Sequence, residues 1–150
     1  MKIVILIFLL FPLFFFTTNA QKNKPDITLM KEINNSWSTL NPTNASKYYD
    51  TSSINVFYDV TPFKYVGWKS YSEGAKEYFK TLSSMKYTVG EDAIVHINGN
   101  FAYGTSTLNQ DTVDKNQKKD SLEIRWTVIL EKKEKAWLIV HEHLSIPAGN

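Results

Sequence analysis

SLEIRWTVILEKKEKAWLIVHEHLSIP, residues 121–147, is the segment from which the rest of the chain becomes readable. Two apolar runs, 122–130 and 137–146, flank a charged turn at 131–136. Both runs are rich in β-branched and aromatic residues and have strand length, so the segment predicts a long β-hairpin. Alternate side chains of a strand point to opposite faces. Strict alternation puts Arg125, Thr127 and Ile129 on one face and Trp126, Val128 and Leu130 on the other. In the second run it groups Trp137, Ile139, His141, His143 and Ser145 against Leu138, Val140, Glu142, Leu144 and Ile146. Neither strand has a purely polar face, which predicts a central place in a sheet with partial cover on both sides.

Working back from the hairpin, residues 86–97 and 101–109 read as two more strands, joined by the turn dipeptide Asn98-Gly99. Residues 111–120 are polar and read as a connection. Further upstream the pattern changes period. Ile27, Met30, Ile33, Trp37 and Leu40 recur at three- and four-residue steps, which predicts an amphipathic helix over 25–40. Asn41-Pro42 ends it and caps a short second helix over 42–49. Residues 54–59 alternate as a strand, and 60–69 form a loop. Ser70 and Glu73 have capping-box spacing, which predicts a third helix over 71–83 with Tyr71, Ala75, Tyr78, Phe79 and Leu82 buried. Helices placed ahead of a run of antiparallel strands make an α+β layer.

The chain has 150 residues, 43% of them hydrophobic, enough for one core and one domain, residues 21–150. Residues 1–20 stand apart. Lys2, an apolar run over 3–16 and a small residue at Ala20 predict a secretory signal peptide cut after Ala20. That implies a periplasmic or secreted protein with no stable membrane anchor after cleavage. With no cysteine, disulfides, thiol nucleophiles and lipid attachment to cysteine are excluded. Seventeen basic against 15 acidic residues leave no electrostatic footprint for nucleic acid.

A resemblance sharpens this outline. Trp37, Leu40-Asn41-Pro42, Tyr48-Tyr49, Val56-Phe57-Tyr58-Asp59, Tyr65-Val66-Gly67-Trp68, Phe101-Ala102-Tyr103, Arg125-Trp126-Thr127 and residues 137–147 carry it. On these pieces the chain resembles the nuclear transport factor 2-like (NTF2-like) superfamily, and within it the SnoaL-like, ketosteroid-isomerase-like domains. The resemblance implies a cone-shaped α+β fold, three helices packed on a curved, mainly antiparallel sheet. The tail pattern His-x-His-x-Ser is also similar to the association domain of calmodulin-dependent kinases. There a basic residue can precede the serine; here Leu144 stands in that place. Such families include isomerases, cyclases, dehydratases and modules without known chemistry, so the fold does not choose the function.

The residues nominate candidates. His141 and His143 share a face by alternation, and either can serve as a general base near neutral pH. Two histidines fall short of a metal site, so no metal and no cofactor is expected. His143 is expected to be held inside the fold by a hydrogen bond. Asp59 and Glu142 follow apolar strand residues; shielding would raise their pKa values and let them move protons. The alternative is that Asp59 caps the following loop and Glu142 pairs with Arg125 or a lysine. Tyr58, Tyr65, Trp68, Tyr103, Arg125, Trp126, Glu142 and Leu144 are the candidate ligand-binding residues. Trp37 and Trp137 are assigned to the core. The expectation is an exported domain that binds a small apolar or aromatic ligand in a mostly apolar pocket, with isomerase- or dehydratase-type acid–base chemistry open to it. The alternative is a non-catalytic dimerisation module, in keeping with an expected homodimer.

Overall fold

The computed structural model describes residues 24–148, so the leader expected at residues 1–20 lies outside the described residues. Three helices pack on one face of a mixed, open, curved seven-stranded sheet. Helix α1 spans Ile27–Trp37; the Asp26 carboxylate caps it by accepting from the Leu29 amide at 2.9 Å. Helix α2, Pro42–Ala45, starts as expected, with the Asn41 side chain accepting from the Thr43 amide and proline at the first position. It runs into one 3-10 turn, Ser46–Tyr48, instead of continuing as a regular helix to residue 49.

Helix α3, Gly67–Phe79, begins before the Ser70–Glu73 box and receives no side-chain cap. Its start is set by backbone geometry. Gly67 has φ +76°, and a Cβ there would lie 3.1 Å from the Ser53 Cα, so glycine is needed on both counts. Leu82, expected on this helix, opens a strand instead, and Tyr78 stays exposed.

The strands are β1 Val56–Tyr58, β2 Tyr65–Val66, β3 Leu82–Val89, β4 Ile94–Asn98, β5 Phe101–Asp114, β6 Lys119–Lys133 and β7 Ala136–Ser145. Their order is β2-β1-β7-β6-β5-β3, with β4 pairing β5 beside β3. Only β1 and β7 run parallel; the other pairings are antiparallel. The single strand expected over 86–97 is two, because residues 90–93 turn away and Asp92 takes up the Thr107 amide and hydroxyl. The connection expected over 111–120 is mostly strand: β5 and β6 stay paired out to Val113 and Lys119. Its polarity reflects a ladder that continues past the core.

The inner face, under the helices, holds the core. Ala102, Leu108, Ile124, Trp126, Val128, Leu130, Ile139 and Leu144 meet Met30, Ile33 and Trp37 of α1 and Tyr71 and Phe79 of α3, all buried. Each large apolar side chain among them contributes about 1.5–3 kcal/mol by leaving water. Strand β7 departs from strict alternation. Ile129 pairs with His141 but Leu130 pairs with Ile139, so Val140 is an unmatched bulge residue. Ile139 therefore joins Glu142 and Leu144 on the buried side, not His141 and His143. Trp137, expected in the core, is half-buried at the margin.

Candidate functional site

At the centre of the inner face lies the Glu142 carboxylate, 2% exposed. Strand β7 delivers it opposite Val128, beneath α3 and the end of the 3-10 turn. Three neutral donors hold it. Trp126 Nε1–H donates to Oε1 at 2.6 Å; the Tyr49 and Tyr71 hydroxyls donate to Oε2 at 2.8 and 2.9 Å. Behind them Trp37 Nε1–H donates to the Tyr49 oxygen at 2.9 Å, which orients the Tyr49 proton toward the carboxylate. Burial pushes the Glu142 pKa up to about 7, against the pull of those three hydrogen bonds. Burial, with the Glu142 charge second, raises the Tyr49 and Tyr71 hydroxyls as well. Arg125 and the lysines take no part, so the pairing expected for Glu142 is replaced by hydrogen bonds to aromatic side chains.

Beside this carboxylate lies a cavity of about 60 Å³, lined by Asn34, Trp37, Asp59, Thr61, Tyr65, Tyr71, Ala75, Tyr78, Phe79, Tyr87, Glu142 and Leu144. Where the sequence predicts a mostly apolar pocket, the structure has a small space in which the hydroxyls and carboxylates share the walls about equally with apolar surface, Trp37, Ala75, Phe79 and Leu144 among it. Asp59 is half-buried at its edge, and among the described residues its carboxylate accepts one hydrogen bond, from the adjacent Val60 amide at 2.7 Å. Burial pushes the Asp59 pKa up to about 6, and that bond only partly offsets it. Tyr87 reaches the cavity from β3; its hydroxyl accepts from Gln110 Nε2 at 2.8 Å. An outer cleft of about 480 Å³, lined by Tyr58, Val60, Phe63, His143, Ser145 and Ile146, shares Asp59 and Leu144 with the inner cavity.

The expected site residues thus divide. Asp59, Tyr65, Glu142 and Leu144 line the cavity. Trp126 stands behind it as a donor, 1% exposed. Trp68 is stacked on Tyr49, ring centroids 4.6 Å apart, and borders a separate surface groove with Leu40 and Pro42. Tyr58, Tyr103, Arg125, His141 and His143 lie on the outer face of the sheet, away from the helices. His143 is exposed, not held inside the fold; the alternation that buries Leu144 turns it outward. His141 is half-buried, with Nδ1 2.8 Å from the Val56 carbonyl; since a carbonyl only accepts, Nδ1 carries the proton. Arg125 donates to the Ile146 carbonyl at 3.1 Å. No group of three or more potential metal ligands occurs among the described residues.

Sequence reading missed Tyr49, Tyr71 and Tyr87 as site residues. Tyr71 was visible as a buried helix position, and a buried tyrosine needs a partner for its hydroxyl. A carboxylate expected on a buried strand face needs donors. Matching those two demands would have joined them.

Comparison with known proteins adds the following. Residues 28–149 match the model of the SnoaL-like domain. No curated protein matches the chain. Among solved structures, an NTF2-like superfamily protein from Salmonella enterica serovar Typhimurium is similar at 21% identity and TM-score 0.74, covering 82% of this chain and 92% of its own. A candidate scytalone dehydratase from Novosphingobium aromaticivorans is similar at 9% identity and TM-score 0.71, covering 81% of each chain. The association domain of the C. elegans calcium/calmodulin-dependent protein kinase II is similar at 18% identity and TM-score 0.61, covering 79% of this chain and 91% of its own. At these identities the likeness is one of fold.

Proposed function

The chain belongs to the SnoaL-like domain family, and we propose that it is a small-molecule-binding domain in which Asp59 moves protons on an uncharged ligand. The observation that carries this reading is the make-up of the cavity: two carboxylates and four tyrosines, with no lysine, arginine or histidine on its walls. An anionic ligand would meet two carboxylates and no cation. Both Glu142 oxygens are already engaged by donors, whereas Asp59 accepts a single hydrogen bond among the described residues and keeps acceptor sites open. A carboxyl that titrates near neutral pH suits a general base. Tyr87, accepting from Gln110, retains its own O–H for a ligand oxygen. Asp59 would take a proton from the carbon beside a carbonyl while the electrons move onto the carbonyl oxygen, stabilised by that O–H. Returning the proton to another carbon is isomerisation; expelling a neighbouring hydroxide as water is dehydration.

The inner cavity, about 60 Å³, takes only the small end of such a ligand, and the outer cleft, about 480 Å³, takes the remainder across Asp59 and Leu144. The fold likeness to a candidate dehydratase supports this reaction class. The leader-like run in residues 1–20 supports a site of action in the periplasm or outside the cell. Every element and core residue described lies at or after Ile27, so a chain beginning at Gln21 retains them all. That chain, screened with small uncharged aromatic and aliphatic ketones in D2O, should gain thermal stability and exchange the ligand's α-protons, followed by NMR. Asp59→Asn should keep the stabilisation and slow exchange by about 10²–10⁴-fold. A wild type that neither binds nor exchanges any such compound defeats the reading.

A second reading rests on the outer face. Two rows cross five strands there: His96, Tyr103, Ile129, His141, Val56, and Ile94, Thr105, Thr127, His143, Tyr58. None of these ten side chains is an acid, a lysine or an arginine, and Ile94, Tyr103, Ile129 and Tyr58 are 46%, 46%, 36% and 36% exposed. A broad uncharged face is complementary to itself, and an isologous pair of sheets covers it with one symmetric contact. The fold likeness to a kinase association domain supports such self-association. Light scattering at micromolar concentration should return twice the protomer mass.

A further inference from the structure

Asn34, on the buried side of α1, lines the inner cavity and is 3% exposed. Its Nδ2 donates to the Met30 carbonyl, one turn back, at 3.0 Å. Since a carbonyl only accepts, the nitrogen corner of the amide faces the helix and Oδ1 takes the other corner. Among the described residues no group donates to that Oδ1. Every fully enclosed side-chain nitrogen and oxygen among them has a partner, so an Oδ1 without one opens on the cavity. We propose that Asn34 is a specificity-determining residue that accepts a hydrogen bond from a ligand hydroxyl, so that the inner cavity selects α-hydroxy ketones over simple ketones. This rests on the proton-transfer reading above and names its substrate class.

Asn34 and Tyr87 are held together. Ser38 Oγ accepts from the Tyr87 backbone amide at 3.1 Å and donates to the Asn34 carbonyl at 3.1 Å. One hydroxyl thus ties α1 to β3 at two residues of the cavity wall. Gln110 lies opposite Tyr87 in the ladder of β3 and β5, and its Nε2 donates to the Tyr87 hydroxyl at 2.8 Å. That bond turns the Tyr87 proton away from β5. The same nitrogen lies 3.4 Å from Met85 Sδ, which keeps the Gln110 amide in this orientation. The wall made by α1 and β3 therefore presents one donor, the Tyr87 O–H, and one acceptor, Asn34 Oδ1. A ketone oxygen satisfies the donor and leaves the acceptor unmatched; a hydroxyl beside the carbonyl satisfies both. A space of about 60 Å³ takes only a few atoms, so the two oxygens belong on neighbouring carbons. A buried acceptor denied both water and a donor is costly, which turns the match into selectivity. A carboxylic acid also carries two oxygens on one end, but once ionised it meets the carboxylates of Asp59 and Glu142.

The test uses the chain from Gln21 and three ligands that share one ring and one carbonyl: α-hydroxyacetophenone, α-methoxyacetophenone and acetophenone. In NMR titrations the wild type should bind the hydroxy ketone about tenfold tighter or more than the other two, since a site built for a hydroxyl rejects analogues that lack it. Asn34→Leu, similar in shape and without the acceptor, should bind the hydroxy ketone and acetophenone alike. Tyr87→Phe should weaken both by a similar factor and keep the preference, because both carry the carbonyl. Equal binding of the hydroxy ketone and acetophenone by the wild type overturns the selectivity and leaves the proton-transfer reading standing; so does binding of simple ketones without the hydroxy ketone. A preference that survives Asn34→Leu overturns the role of Asn34. If that variant fails to fold, the Asn34 side-chain amide signals of isotope-labelled wild type decide. They should shift further with the hydroxy ketone than with acetophenone, and equal shifts overturn the proposal. A wild type that binds no uncharged ketone at all overturns the proton-transfer reading, and the selectivity with it.

Discussion

On strand β7, Glu142 and His143 are adjacent in sequence and belong to opposite sides of the sheet. Glu142 is 2% exposed and held by three donors, whereas His143 is open to solvent beside Tyr58. The same division holds across the sheet. The helix-covered face gathers two carboxylates with raised pKa values among tyrosines, and the open face gathers every histidine of the chain. The two faces offer different surroundings. Inside, protonation of a carboxyl relieves a buried negative charge; outside, the imidazoles lie against aromatic rings away from the helix-covered core. Adjacent residues of one strand can thus meet two environments without interfering, because the sheet itself separates them.

The largest effect of a substitution should come from exchanging the two neighbours for alanine. Glu142→Ala leaves the Tyr49, Tyr71 and Trp126 donors without an acceptor and should cost about 3–4 kcal/mol in urea unfolding, since each buried unsatisfied group costs about 1–3 kcal/mol before relaxation. His143→Ala, measured at concentrations too low for association, should change stability by less than about 0.5 kcal/mol. Equal costs would break the contrast between the faces.

The next effect is the pH dependence of the dilute protomer. Folding raises Glu142 from 4.5 to about 7 and Asp59 from 3.8 to about 6. Between the unfolded and folded values the native state binds more protons, so stability falls as pH rises. The contribution is fully present below about pH 4 and gone above about pH 7, a loss on the order of 6 kcal/mol at most, followed by urea midpoints across that range. Glu142→Gln should flatten about half of this slope, the remainder belonging to Asp59. A protomer that grows more stable between about pH 4 and 7 would mean that the carboxylates are not the groups that dominate the inner face.

The smallest effect concerns the wall of the cavity. Gly74 sits on α3 where an added Cβ would overlap the Tyr65 ring. An interior helix glycine normally gains up to about 1 kcal/mol on becoming alanine. Here Gly74→Ala should instead lose about 1 kcal/mol, through the overlap with Tyr65. In a Tyr65→Ala background the ordinary gain should return. A gain in the wild-type background would mean that Tyr65 does not pack against this helix.

Much of the fold was legible because it rests on period. The stripe of Met30, Ile33 and Trp37, the Asn41-Pro42 cap and the alternation of residues 122–130 each announce their element locally. What escaped depends on contacts between distant segments. The Ser70–Glu73 spacing suggested a helix start, but the start follows from Gly67 and its approach to Ser53. The polar ends of β5 and β6 looked like a loop because they lie beyond the core and only backbone pairing holds them. For the site, Glu142 and Asp59 could be nominated by their apolar neighbours, yet their partners could not. Tyr49 is 93 residues from Glu142 and Tyr71 is 71 residues away, separations that no local pattern encodes. His143 sits in an apolar run that predicts burial on both sides, yet it faces outward because nothing covers the sheet there among the described residues.

Val140 sets something like a reading frame for β7. Ile139 and Glu142 are three residues apart, an odd step that ordinarily sends two side chains to opposite sides, yet both reach the interior because one residue is left uncounted between them. Residues before the bulge are read in one frame and residues after it in the other. Removing Val140 would leave Ile139 and Glu142 two residues apart, in phase with no bulge at all; pairing Val140 as an ordinary strand residue would put them out of phase. Either the acid or the isoleucine would then face outward. Which side the carboxylate reaches is therefore a matter of one uncounted residue, as much as of the residue that carries it.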